Sequence, residues 1–381
     1  AGADPEDSSG AGDRYAMKQP PVPISIATKK PARAYMLGLI LLLGTLIILS
    51  LGIGAVKIEP LQVIQILLQR TGLLSIDASN AAHLAAGGFT EQQAAVLWTI
   101  RLPRILGAVI IGAALAISGA MLQGVLRNPL ADPGILGVSS GAALGAVSVV
   151  VLGPYIAMPE KLLPWSMSVT GFLGGLGITW LVVMLSRSEG RSILATMLLA
   201  GIALNSLCGA ATGLLTTFSN DAQLRTITFW SMGSLGGFGW KQLTVLTPFI
   251  IGPMALLLFQ GRTLNAMTLG ESEAGHLGFD VERFKAFTFL ACAVLVGASV
   301  AACGIVGFIG LVAPHLIRLS MGPDHRRLLP ACALLGAILL VAADLVARTI
   351  IVPAELPIGV VTAMLGAPFF LWLLRRQTTQ F

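Results

Sequence analysis

Ten uninterrupted apolar stretches limit what this chain can fold into. They fall at about 34–56, 103–126, 134–153, 163–186, 192–217, 243–260, 284–303, 305–320, 329–350 and 357–374. Each is close to the roughly 20 residues that an α-helix needs to cross about 30 Å of hydrocarbon. Strands of a membrane barrel would alternate with a period of two over about ten residues, whereas these stretches are continuous and about twice as long. Lipid offers no water to backbone N–H and C=O groups, so helices that satisfy their own hydrogen bonds are what such runs allow. Hydrophobic residues make up 55% of the 381, and Asp, Glu, Lys and Arg only 11%, against about 25% charged in a soluble domain. The expected fold is an all-α, polytopic membrane bundle of about ten transmembrane helices over 34–376.

Residues 1–33 are polar, rich in Gly, Pro and Ser, and lack the apolar core of a signal peptide. They read as a disordered cytoplasmic tail, in which AGADPEDSSGAGDRYA (1–16) could be an appended linker and Met17 the natural start. With the N-terminus inside, 16 of the 24 Lys and Arg fall on the inner side. That excess puts both termini in the cytoplasm, with the longest outer segment at about 57–100. An amphipathic or re-entrant piece is expected at about 218–241. GAALAISG (112–119) and GASVAACG (297–304) suggest an internal repeat. The basic balance, a net charge of +6, reports topology in such a chain rather than nucleic-acid binding. Cys208, Cys292, Cys303 and Cys332 lie in apolar runs without CxxC pairing, so they read as buried thiols, with no metal site.

Two chemistries are disfavoured. Gly137-Val-Ser-Ser-Gly141 fits GxSxG, but a nucleophile elbow needs a strand-to-helix turn and acid and His partners. Here the motif opens a membrane helix, so a hydrolase built on Ser139 is a minor alternative, and no catalytic residue is assigned. There is no GxxxxGK[ST] loop, nor any Gly-Lys pair, so any ATP, with its magnesium, must be handled by another subunit. Ion-coupled carriers place ionisable groups inside the bundle. The spans here hold essentially one acid, Asp344, four residues before Arg348, where a local ion pair is expected. An ion-coupled secondary transporter is thereby weakened as an alternative.

Three features could meet partners. The inner segment 261–283 reads as a short helix bounded by Gly270 and Gly278. It is either a solvated loop or a docking helix, with Glu271, Glu273 and His276 toward water and Leu269, Ala274 and Leu277 as an apolar face. Arg101, Arg104 and Arg348 lie at outer span ends, as interfacial anchors or as partners of external carboxylates. In the fifth span Asn205, Gly209, Thr212 and Thr216 share one helix face, either lining a path or packing against neighbours.

The motifs RLPR (101–104), GAALAISGAMLQGVLRNPLADPGILGVSSGA (112–142), LGESEAGHLG (269–278), GFIGLVAPHLIR (307–318), DLVAR (344–348) and ELPIGVVTAMLGAPFFLWLL (355–374) closely resemble the FecCD-type permease family. That family comprises the membrane subunits of ATP-binding-cassette importers for heme, ferric siderophores and vitamin B12. The resemblance implies a ten-helix subunit that forms a homodimer in the bacterial inner membrane. Its implied partners are two ATPase subunits inside and a periplasmic substrate-binding protein outside. It implies that Leu269, Gly270, Glu271, Ala274, Leu277 and Gly278 lie on the helix that couples to the ATPase. It further implies that Arg101, Arg104 and Arg348 meet acidic residues of the binding protein, and that Asn205, Gly209, Thr212 and Thr216 line the path. The cargo expected is heme, the chain being more similar to the heme permeases than to the rest, with a ferric siderophore or vitamin B12 as alternatives.

Overall fold

The structure is a computed structural model that describes residues 32–73, 88–156, 159, 161–188, 191–351 and 353–378. The tail expected at 1–33 lies almost wholly outside the described residues, as does part of the outer segment 57–100.

In chain order the helices are α1 (Ala32–Gly52), α2 (Pro60–Arg70), α3 (Glu91–Val125), α4 (Val138–Tyr155), α5 (Leu163–Leu185), α6 (Leu194–Thr217) and α7 (Asp221–Met232). They continue as α8 (Trp240–Leu258), α9 (Gly261–Met267), α10 (Glu271–His276), α11 (Val281–Cys303), α12 (Ile309–Met321), α13 (His325–Thr349) and α14 (Ile358–Thr378). A two-residue antiparallel strand pair, Arg187–Ser188 with Arg191–Ser192, joins α5 to α6.

Eight of these helices, α1, α3, α4, α5, α6, α8, α11 and α13, are long and apolar enough to cross a membrane. The two remaining expected spans are the shorter α12 and the apolar part of α14, Ile358–Leu371. The run beginning at 305 does not enter its helix until Ile309, because Gly304 (φ 74°) and Phe308 (φ 68°) take left-handed backbone conformations. The 13 residues of α12 rise only about 20 Å. Helix α7 occupies the segment expected to be amphipathic; Asn220 caps it, accepting from Gln223 N at 2.9 Å.

The spans divide by burial. In α3, α11 and α13, 83%, 72% and 61% of the residues in the most apolar stretch are buried, against 17% in each of α1, α6 and α8. Helix α3 is the axis, packed against α11, α12 and α13. Gly119 lies against the α12 backbone so closely that a β-carbon there would stand 2.7 Å from Gly310 Cα. Small residues let helix backbones approach in this way where lipid supplies no hydrophobic drive. The proposed repeat diverges here: Gly119 sits inside α3, whereas Gly304 terminates α11.

A six-residue π-helical stretch, Val96–Arg101, interrupts the first part of α3. Such single turns are frequent at functional sites; Arg101 ends this one and Arg104 follows three residues later. At the same end, Trp240 Nε1 donates to Trp98 O at 2.8 Å, and the two indoles pack with centroids 5.5 Å apart.

Candidate functional sites at the two ends of the bundle

The inner end is built around α9 and α10. Leu264 and Met267 bury α9 against the bundle. Asn265 joins it to the start of α13: Nδ2 donates to Asp324 Oδ1 at 2.8 Å, while Oδ1 accepts from His325 N at 2.9 Å. The Asn265 hydrogen bond holds the Asp324 carboxyl below its usual range, helped by Arg326 N and the nearby Arg327 and Arg326 guanidinium groups. The chain turns through Gly270 (φ 131°), runs six residues as α10, and leaves through Gly278 (φ 89°). Both dihedrals suit glycine, so the helix expected between these two residues is found there.

The two sides of α10 differ from the expected pattern. Leu269 and Leu277 are 69% and 61% exposed, and Glu273 and His276 face outward as expected. Ala274 is fully buried, so it does not belong to an outward apolar face; it seats α10 on its own chain. Glu271 is not free in water either. Its Oε2 accepts from Lys285 Nζ at 2.6 Å, and the same ammonium reaches Glu282 Oε1 at 3.2 Å. Lys285, 4% exposed, was absent from the sequence-based candidates. Its signal was a lysine at the mouth of an apolar run, three residues after a glutamate.

The outer end holds Arg101, Arg104 and Arg348, and none presents a free guanidinium. Arg104 is 5% exposed; its Nε pairs with Asp344 Oδ1 at 2.8 Å, and its two terminal nitrogens grip Glu355 at 2.9 and 3.0 Å. Arg348 lies 3.6 Å from Asp344 Oδ2 and donates to Ser50. Arg101, also 5% exposed, donates to Leu51 O at 2.6 Å, Gly52 O at 3.0 Å and Val56 O. The three guanidinium groups are therefore engaged within the chain: Asp344, Glu355 and the last carbonyls of α1 already satisfy them. The Asp344–Arg348 pair is present, but Arg104 lies closer to Asp344. Glu355, with its side chain 42% exposed, is the accessible member of this cluster.

The α6 stripe splits in two. Asn205 is spent on packing, with Nδ2 donating to Gly134 O at 3.2 Å and its Oδ1 meeting the Ser140 hydroxyl. Gly209 is exposed, with open space where a β-carbon would stand. Thr212 and Thr216 are half-buried, and the Thr216 hydroxyl donates to Thr212 O at 2.7 Å. Ser139 sits in the first turn of α4, after the 3-10 turn Pro133–Leu136 rather than a strand, so the geometry of a nucleophile elbow is missing. The four cysteines are buried.

The model of the FecCD transport family matches residues 40–376. The chain belongs to that family. It is similar to the hemin transport system permease protein HmuU of Yersinia pestis, with 46% identity over 331 residues, covering 85% of this chain and 98% of that protein. It is also similar to the vitamin B12 import system permease protein BtuC of Vibrio cholerae, with 45% identity over 75% of this chain and 84% of that protein. Among solved structures, a metal-chelate type ABC transporter in an inward-facing conformation superposes with a TM-score of 0.76 and 32% identity, covering 90% of this chain and 99% of that one. This FecCD chain is thus a multi-pass membrane permease subunit of the ATP-binding-cassette importer class.

Proposed function

We propose that this permease imports heme across the bacterial inner membrane as a homodimer, served by two ATPase subunits inside and a periplasmic substrate-binding protein outside. ATP and magnesium belong to the ATPase, since this sequence carries no phosphate loop of its own. The observation that carries the reading is α10: a six-residue helix at the inner end, seated by Ala274 and offering Leu269 and Leu277 outward. Two exposed leucines flanking a short helix, Leu269 just before Gly270 and Leu277 at the C-cap, suit a small apolar pocket on a partner. Gly270, Glu271 and Gly278 fix its ends and orientation.

The family resemblance and the hemin permease relative support heme as cargo. A porphyrin needs no ligand from the chain to pass, so a smooth path of small residues suffices. Gly209, Thr212 and Thr216 supply the open part of the α6 face for such a path, while Asn205 ties the middle of that helix to Gly134, just before α4, and to Ser140 at the start of α4. At the outer face, Arg101, Arg104 and Arg348 form a braced floor for the binding protein, and Glu355 lies at its surface. Transport proceeds by alternating access, driven by differences in ATPase contact between inward- and outward-facing states.

The test is uptake into liposomes holding the permease, its ATPase and its binding protein, with heme, a ferric siderophore and cobalamin offered in turn. Heme-stimulated ATP hydrolysis with heme uptake is expected. The similarity to the B12 permeases makes cobalamin the second cargo to test, and stimulation by cobalamin alone would replace heme. Uptake without any need for ATP would overturn the importer reading.

A further inference from the structure

We propose that Lys285 is a positioning residue that makes α10 and α11 move as one body, passing a displacement of α10 into the membrane spans. This rests on the coupling role proposed for α10.

A helix of six residues is far below the length of about 12–15 at which an isolated helix becomes even marginal in water. It keeps its shape and place through what it touches. Apart from the buried Ala274, its firmest side-chain tie is Glu271 to Lys285 at 2.6 Å. Lys285 lies in α11 yet reaches one carboxylate from each element, Glu271 of α10 and Glu282 of α11. An ammonium that is 4% exposed and held between two carboxylates cannot follow one and abandon the other without leaving charge poorly compensated. The clasp is therefore stiff where the flanking glycines are permissive.

Its position matters as much as its strength. Glu271 and Lys285 line a small, partly open cavity of about 80 Å³ together with Val125 at the end of α3, Arg127 just beyond it, Leu194 and Met197 of α6, and Phe289 of α11. The inner ends of three spans thus meet at the clasp. The cavity leaves room for side chains to shift before anything must collide. Of the three, α6 is the least held, with 17% of its most apolar stretch buried against 83% in α3. A shift of the clasp meets least resistance toward α6, the helix that carries Gly209, Thr212 and Thr216.

The test uses the whole importer in liposomes with heme, scoring ATPase co-purification, ATP hydrolysis and heme delivered per ATP hydrolysed. Lys285→Gln should still bring down the ATPase subunit, yet deliver about tenfold less heme per ATP, a typical coupling magnitude. Lys285→Arg, which keeps the charge and both carboxylate partners, should return delivery to within about twofold of the parent. Glu271→Gln, at a half-exposed position, should lower delivery per ATP in the same direction and serves if Lys285→Gln does not fold. Parental delivery per ATP in Lys285→Gln, or in Glu271→Gln should the lysine variant misfold, would overturn the clasp. So would loss of the ATPase subunit from Lys285→Gln, which would make the lysine a support of the docking surface and no transmitter. Failure of the coupling role itself would look different, as ATP-independent uptake by the parent protein.

Discussion

The outer and inner ends of the bundle are both rich in charge, yet they spend it differently. Outside, Arg104, Arg348, Asp344 and Glu355 consume one another, and Asp344 is wholly buried. Inside, the Lys285 clasp is likewise closed, but Leu269 and Leu277 beside it stand open. A buried ion cluster fixes geometry, whereas exposed leucines invite a partner. The comparison teaches that charge at the end of a span does not by itself mark a docking surface; what matters is whether an internal partner has already claimed it.

Mutations can break or sharpen this contrast. The largest effect is expected at the outer end: Asp344→Ala leaves two enclosed guanidinium groups without their shared carboxylate, at about 3–5 kcal/mol. Thermal unfolding in detergent should show it, and an unchanged midpoint would mean that the cluster is no brace. Next comes the inner surface. Leu269→Asp combined with Leu277→Asp should cost about 2 kcal/mol or more of ATPase affinity, the size of an interface hot spot. Unfolding should barely move, because both side chains are exposed; co-purification of the ATPase with a parental melting curve as control decides this.

Smaller effects compare the axis with the periphery. Gly119→Val forces a side chain into the α12 backbone and should destabilise by about 1–3 kcal/mol or more. Gly209→Ala meets open space and should stay within about 0.5 kcal/mol. Equal melting shifts for the two would contradict the division between α3 and α6. The smallest effect concerns Asp324, whose folded carboxyl is held below its usual range. A depressed carboxyl contributes stability above its unfolded value of about 3.9, and that contribution is lost as pH falls through the folded value. Asp324→Asn should therefore be slightly less stable than the parent at neutral pH, and the gap should close below about pH 4. A gap that widens on acidification would mean that Asp324 does not act through its charge.

Much of the fold was legible in the sequence because a spanning helix is a local property. Ten apolar runs correspond to eight long helices and two short ones, and the glycines at 270 and 278 marked the ends of α10. What escaped was who faces whom. Arg104 finds its carboxylates 240 and 251 residues further on, and no periodicity carries that information. Ala274 looked like part of an outward face because helical spacing says which residues share a side, not which side turns toward the chain. Asn205 and Gly209 are one turn apart on the same helix, yet one is bonded to a neighbour and the other is bare. Phe308 escaped for a different reason: its left-handed backbone shortens α12, and nothing in an apolar run announces it.

The outer end of α1 has a consequence for how the protein is made. The carbonyls of Ser50, Leu51, Gly52 and Val56 are satisfied by Arg101 and Arg348, the latter 298 residues downstream of Ser50. The first helix to enter the membrane therefore waits for nearly the last before its end is chemically complete. A ribosome that stalls before residue 348 leaves Ser50 without the Arg348 guanidinium, so a residue close to the end of the chain completes the end of the first span.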